Sequence, residues 1–299
     1  MSKSVQFYLL GKKGFSVLKD FIYTYGAENI TLVIGSRDKG VKNDYFEKTQ
    51  SICNEHNISF LERHSPLPAT QVDISFAIGW RWIIDQPCQL IIFHDSILPK
   101  FRGFSPLVNM LIQGEPRIGV TALHASAEYD AGDIIAQASV NIIYPIKISN
   151  AIDKIAPLYS ELLNTIYASI LKDKELPAKK QISTDASYSL WRNEQDYLID
   201  WSDSSVSILR FCDAVGYPFR GAKTYIDDII YRIFDVETVE DVNVENREKH
   251  IGKVIFIKNE CPIVVCGEGL LKITHFSTEH SLENMAKINF RSRFSDRIS

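Results

Sequence analysis

The sequence predicts an α/β protein with a mostly parallel, helix-covered sheet in its first part and a small antiparallel β-rich region at its end. Three observations carry this. Short apolar runs alternate with helix-patterned segments up to about residue 171. A charged stretch with Pro177 interrupts that rhythm over residues 172–180. From residue 223 onward only short β-like runs separated by closely spaced turns remain. Strands alternating with helices imply crossover connections and hence a parallel sheet, whereas successive short strands imply a sandwich or barrel.

The elements follow in order. Residues 5–10 are apolar and close at Gly11, and residues 15–25 repeat apolar positions at helical spacing. Residues 30–34 are strand-like and end at Gly35; residues 43–56 are polar with a helical pattern; residues 58–61 form a brief strand candidate. Residues 74–78 close at Gly79 and residues 90–93 follow. Residues 120–124 and 134–140 read as a strand pair flanking an acidic loop. Residues 151–171 form a long amphipathic helix with Ile152, Ile155, Leu158, Leu162 and Ile166 on one face. Residues 205–215 suggest a short helix, and the β-like runs 224–226, 229–234, 254–257, 263–266 and 270–274 complete the chain, with turns at 258–259 and 267–269. The boundaries expected are a catalytic domain over 1–175, a connecting segment over 176–216 and a β-rich domain over 217–299.

Composition narrows the function. At 299 residues, 45% apolar and 23% charged, the chain has the profile of a soluble globular protein. A net charge of −4 gives no reason to expect polyanion binding. The five cysteines (Cys53, Cys88, Cys212, Cys261 and Cys266) form no CxxC pair and no metal-type His/Cys spacing occurs, so reduced thiols and no metal are expected. The apolar run at residues 7–10 is too short for a secretory leader and no stretch is long enough to span a bilayer, which points to the cytoplasm and no membrane partner. The Gly11-Lys12-Lys13-Gly14 turn matches neither common phosphate-binding spelling and reads as a plain strand-to-helix turn.

The chemistry concentrates in residues 93–135. His94 stands where an apolar strand opens into a loop punctuated by Pro99 and Gly103, and an acidic hairpin ending in Asp130-Ala131-Gly132-Asp133 follows. Loops at the ends of parallel strands commonly carry catalytic groups, and a His with a carboxylate partner is a common acid–base pair near neutral pH. Asp95, adjacent to His94 on extended chain, points the other way and is assigned to loop hydrogen bonding. Asp133 is expected to brace the turn.

The segment resembles the formyltransferase family, whose members move a formyl group from 10-formyltetrahydrofolate to an amine. The resemblance rests on His94, Ser96, Leu98, Pro99, Arg102 and Gly103, on Gly119, Val120 and Thr121, and on the run Asp130 to Ile135. It continues in Arg192, Asp196, Ile199, Asp200 and Trp201 and in the block Tyr217 to Ala222. The implied fold is a Rossmann-like formyltransferase domain followed by an OB-like one. His94 and Asp130 are then the catalytic pair. Trp80, Arg81, Trp82 and Ile83, with Ala125 and Asp130 opposite, would line the folate pocket. Arg102 and Gly103 would order the active-site loop and meet substrate.

One position departs from the family pattern. An asparagine normally stands two residues before the His as a donor to the oxyanion, and here that place is Ile92. Asn109, His124, a backbone N–H or water are candidate replacements, with Asn109 foremost. Among acceptors, the resemblance is greatest to enzymes formylating nucleotide-linked amino sugars (UDP or dTDP) for bacterial surface glycans such as O-antigen. Tyr197, Trp201, Tyr217, Phe219 and Arg220 are the expected nucleotide-sugar contacts, and a homodimer is compatible with the chain. A methionyl-tRNA formyltransferase, or a catalytically impaired binding homologue, is the alternative.

Overall fold

The computed structural model describes residues 3–68, 72–84, 89–279 and 288–296. The chain divides into two compact units: Met1–Leu107, Pro116–Ile142 and Asn150–Trp191 form the first; Val108–Glu115, Ile143–Ser149 and Arg192–Ser299 form the second. The connecting segment expected over 176–216 is therefore split after Trp191 between the two.

In the first unit β1 (Val5–Leu9), α1 (Gly11–Tyr25), β2 (Ile30–Gly35), α2 (Phe46–Glu55), β3 (Phe60–Glu62), β4 (Ile74–Ile78) and β5 (Gln89–His94) alternate as expected. They are followed by β6 (Arg102–Gly103), then α3 (Pro106–Gln113), which from Val108 on belongs to the second unit, and then β7 (Arg117–His124), β8 (Ile134–Asn141), α4 (Ile148–Ile170, from Asn150 in the first unit) and β9 (Tyr188–Ser189). The main sheet runs β3-β2-β1-β4-β5-β7-β8. The first five strands pair in parallel, and β7 and β8 add antiparallel at the edge. Central β1 is buried along its whole length, as a strand covered on both faces must be. Alternation sorts its side chains. Phe7 packs with Phe21, Phe76 and, through Phe76, Phe93, whose ring stacks on Tyr159 of α4. Tyr8 turns to the opposite face, in an apolar cluster with Leu32, Ile34 and Ala77 that also takes in Trp80 and Ile92. The basic turn carries no phosphate-type loop: α1 starts at Gly11, and Lys12 and Lys13 pair with Asp153 and Asp95.

The second unit contains α5 (Ser205–Val215), β10 (Ala222–Ile226), β11 (Ile229–Val239), β12 (Val254–Lys258), β13 (Cys261–Val265), β14 (Leu270–Thr278) and β15 (Phe294–Ser295). Its six strands form one antiparallel sheet ordered β12-β13-β14-β11-β10-β15. The β12–β13 hairpin closes through Asn259 and Glu260, both with positive φ, the backbone that two-residue hairpins favour. Ser204 caps α5 by accepting the Ser207 N–H. Trp201 is 4% exposed: its indole N–H donates to Thr224 Oγ1 at 2.9 Å and its ring packs on Phe294. This corrects its expected role, because a side chain so enclosed and hydrogen-bonded is core and presents no face to a nucleotide.

Among the described residues no helix is long and apolar enough to cross a membrane. Cys53, Cys212, Cys261 and Cys266 are free thiols, and burial pushes the Cys53 and Cys266 thiols up to about 12. Cys88 lies outside the described residues.

Candidate active site

His94 is the last residue of β5, and its neighbour in the sheet is Thr121 of β7. Two-residue periodicity puts Ile92 and His94 on the same face. The Thr121 hydroxyl holds the loop that leaves β5: it donates to the Ser96 carbonyl at 2.7 Å and accepts from the Leu98 N–H and from Gln137 Nε2. Gln137 also donates to the Leu98 carbonyl. Thr121 of the Gly119–Val120–Thr121 run is thus a loop anchor beside the end of β5.

His94 Nδ1 lies 3.4 Å from Asp130 Oδ1, and Nε2 lies 2.7 Å from the Phe101 carbonyl. Acceptors therefore face both ring nitrogens. The carboxylate is the more open member, 14% exposed against 7% for the imidazole. Its second oxygen, Oδ2, accepts the Gly103 N–H at 2.8 Å. Asp130 has φ +50°, in the left-handed region that Asp tolerates better than most side chains. The hairpin is tightly seated: a Cβ at Gly132 would fall 1.8 Å from the His124 carbonyl oxygen. Gly103 has φ +95°, and a Cβ there would fall 2.6 Å from the Ser189 carbonyl oxygen, a close backbone approach that glycine permits.

Arg102 is 4% exposed, and its guanidinium donates to Gln181 Oε1 through Nε and Nη2 and to the Tyr188 hydroxyl through Nη1. These bonds tie the loop to Gln181 and Tyr188, and burial of the guanidinium is at odds with the expectation that it meets substrate. Asp95 does not hydrogen-bond within its loop as expected; it pairs with Lys13.

Trp80 and Trp82 pack edge to face, Trp80 also lies edge-on to Tyr8, and Arg63 sits 4.0 Å from the Trp82 ring centre. The Trp80 indole nitrogen is buried and has no hydrogen-bond partner among the described residues. Arg81 pairs with Asp38, Ile83 is strongly exposed, and Ala125 donates its N–H to the Leu90 carbonyl. In the second unit, Asn109 Oδ1 accepts from Arg192 Nη2 at 2.6 Å, which sets the rotation of the amide. Tyr217 is exposed, Tyr197 and Phe219 are half-buried, and Arg220 pairs with Glu194 at 2.9 Å.

Sequence reasoning missed two features. Gln181 lies in a charged, Pro-containing stretch with no motif around it. Tyr129, Phe104 and Trp191 form an aromatic row with centres 5.8 Å apart, in which Tyr129 and Trp191 are 60% and 64% exposed. The adjacency of Tyr129 to Asp130 and of Phe104 to Gly103 was the available signal.

Two family models match: the formyl transferase model over residues 69–165 and the formyl transferase C-terminal domain model over residues 192–291. The methionyl-tRNA formyltransferase of Halothermothrix orenii is 31% identical over 229 residues, covering 76% of this chain and 72% of that protein. That of Ralstonia nicotianae is 26% identical over 214 residues, covering 70% of this chain; the match spans only 64% of that relative's length. In structure, the N-formyltransferase from Helicobacter canadensis, solved with folinic acid and dTDP-3-aminofucose, superposes with a TM-score of 0.66 at 15% identity over 92% of this chain and 99% of that one. With both family models matched in order, and a His–carboxylate pair at the end of β5 in the first, the chain belongs to the formyltransferase family.

Proposed function

We propose that this chain transfers the formyl group of 10-formyltetrahydrofolate to the amine of a nucleotide-linked amino sugar. The observation that carries the reading is the His94–Asp130 pair, held at 3.4 Å at the end of β5 and braced on both sides by main-chain groups. An amine attacking a formyl carbon becomes cationic and must shed a proton. Asp130, the more open member, is placed to take it, and His94 stands behind the carboxylate as its partner.

The folate fits the residues present. Trp80 contributes an apolar wall with Tyr8 and Ile92 behind it, and its buried indole N–H has no acceptor among the described residues. Buried donors are nearly always satisfied, so a flat heterocycle with acceptor atoms at its edge suits this wall. Trp80, Trp82 and the backbone at Ala125 are the residues proposed to hold it. When bound, the folate supplies the activated formyl carbon.

For the acceptor, the aromatic row Tyr129–Phe104–Trp191 beside Asp130 offers exposed flat faces to a sugar ring or base. The net charge of −4, and the absence of any excess of Lys and Arg over Asp and Glu in residues 220–299, argue against a transfer-RNA partner. The ligand in the Helicobacter canadensis crystal, dTDP-3-aminofucose, belongs to the proposed class. The second reading, formylation of methionyl-tRNA, is favoured by the names of the sequence relatives. Assaying 10-formyltetrahydrofolate turnover with dTDP-3-aminofucose and with methionyl-tRNA tests both. Formylation of the sugar supports the proposal; formylation of the tRNA alone, in a salt-sensitive manner, replaces it with the second reading.

A further inference from the structure

The first family match ends at residue 165 and the second begins at residue 192. The chain between them passes along the catalytic loops. Lys179 exchanges both main-chain hydrogen bonds with Ile134, just past the acidic hairpin. Ser187 Oγ accepts the Phe101 N–H, and β9 pairs in parallel with β6. Within this strap Gln181 does something more specific. Its Nε2 donates to the carbonyls of Asp130 at 2.7 Å and Gly132 at 2.8 Å, and its Oε1 accepts from Arg102 Nε at 3.0 Å and Nη2 at 2.8 Å.

These four bonds use both N–H donors and both acceptor directions of one amide. They also settle which end is which: two carbonyls lie on one side and a guanidinium on the other, so a flipped amide would oppose like to like. One side chain thus ties the backbone of Asp130, itself in the left-handed region, to the buried Arg102 of the loop whose Gly103 N–H holds the Asp130 carboxylate. Asp130 is fixed from its main chain by Gln181 and from its side chain by Gly103.

We infer that Gln181 is a positioning residue for the catalytic pair, setting the direction from which the Asp130 carboxylate meets His94. The inference rests on the reading that His94 and Asp130 are the reacting pair. A leucine at 181 removes all four bonds. A glutamate keeps an acceptor for Arg102 but removes the two donors, and turns a carboxylate toward two carbonyls. If Gln181 acts through Asp130, both changes must be felt at His94 Nδ1, across the pair. A residue that only staples the hairpin to the loop would lower stability and leave that nitrogen alone.

The test is nitrogen NMR of the full chain labelled at histidine, with no ligand added. The His94 ring signals are identified by their loss in His94→Gln. The shift that Asp130→Asn imposes on them is the reference. We expect Gln181→Leu and Gln181→Glu to move the His94 Nδ1 signal in the same direction, and Gln181→Leu to add nothing further in the Asp130→Asn background. An unmoved His94 signal in either folded variant overturns the inference, as does a full additional shift in the Asp130→Asn background. Should Gln181→Leu fail to fold, Gln181→Glu, which retains its contact with Arg102, decides. With whichever of dTDP-3-aminofucose or methionyl-tRNA the wild type formylates, kcat should fall about 100-fold with little change in KM, the size expected when a reacting group is misplaced by about 1 Å. An unchanged kcat beside a moved His94 signal also overturns it. The NMR measurement needs no acceptor, so a wild type that formylates neither compound would refute the proposed function without touching the result at Gln181.

Discussion

At the scale of single residues, His94 and Asp130 lie 3.4 Å apart, and the proposed function requires them to act as one unit. His94→Ala and Asp130→Ala should each reduce formyl transfer to near background while the melting curve stays cooperative. The double variant should be little worse than either single one, as expected for groups that act together. Substantial turnover in either single variant would remove the pair from the mechanism. Ile92 is a separate question. It packs in the apolar cluster with Tyr8, Leu32, Ile34, Ala77 and Trp80, where an amide would find few partners. Ile92→Asn should therefore lower stability by about 1–3 kcal/mol in urea unfolding, with no gain in kcat. A large gain would mean that the active site lacks an oxyanion donor which the asparagine restores. The identities of His94, Asp130, Arg102 and Gly103 were legible because a short motif in contiguous sequence carries them. Gln181 was not: its meaning lies in three backbone and side-chain partners 49 to 79 residues away.

At the scale of elements, the short pairing of β6 with β9 changes how the linker is understood. The sequence reads a charged stretch over 172–180 and a connecting segment over 176–216, yet β9 and its flanks up to Trp191 join the first unit and bring Tyr188 and Trp191 toward the loop that carries Arg102 and Phe104. Exposed Trp191 and buried Trp201 make a useful contrast. Trp191→Ala should raise KM for the sugar nucleotide roughly threefold to tenfold, the worth of one aromatic contact, and leave the melting temperature nearly unchanged. Trp201→Phe should do the reverse. It loses the hydrogen bond to Thr224 and costs about 1 kcal/mol of stability, with KM unaltered. Equal KM effects from both would mean that the division into ligand face and core is wrong. Spacing alone could not separate the two, since both are tryptophans beside turns; burial by Phe294, more than ninety positions away in sequence, decides the matter.

At the scale of the whole molecule, one buried carboxylate couples stability to pH. Asp213 lies near the end of α5, and burial pushes its pKa from 3.8 up to about 6, against an opposing pull from Lys147 and with added repulsion from Asp235. The folded state prefers the protonated acid. The stabilisation this brings is fully present below about pH 4 and is lost as pH rises through about 6. Asp213→Asn should therefore leave stability unchanged near pH 4 and raise it by up to about 3 kcal/mol near pH 8. Urea unfolding at several pH values checks this; an effect that does not vary with pH would assign the change to packing instead of charge.

The sequence by itself determined the alternation of strand and helix, the change to short β runs, the strand end that carries His94, and the family. These are local properties: apolar period, turn residues and contiguous motifs need no knowledge of distant chain. Tertiary structure decided which groups face one another. It turned Arg102 inward onto Gln181 and placed Trp201 in the core. It set Phe104, Tyr129 and Trp191 side by side. Each of these depends on segments far apart in sequence meeting at van der Waals or hydrogen-bond distance. A single sequence records residue types along the chain, and such meetings arise only when the chain is packed.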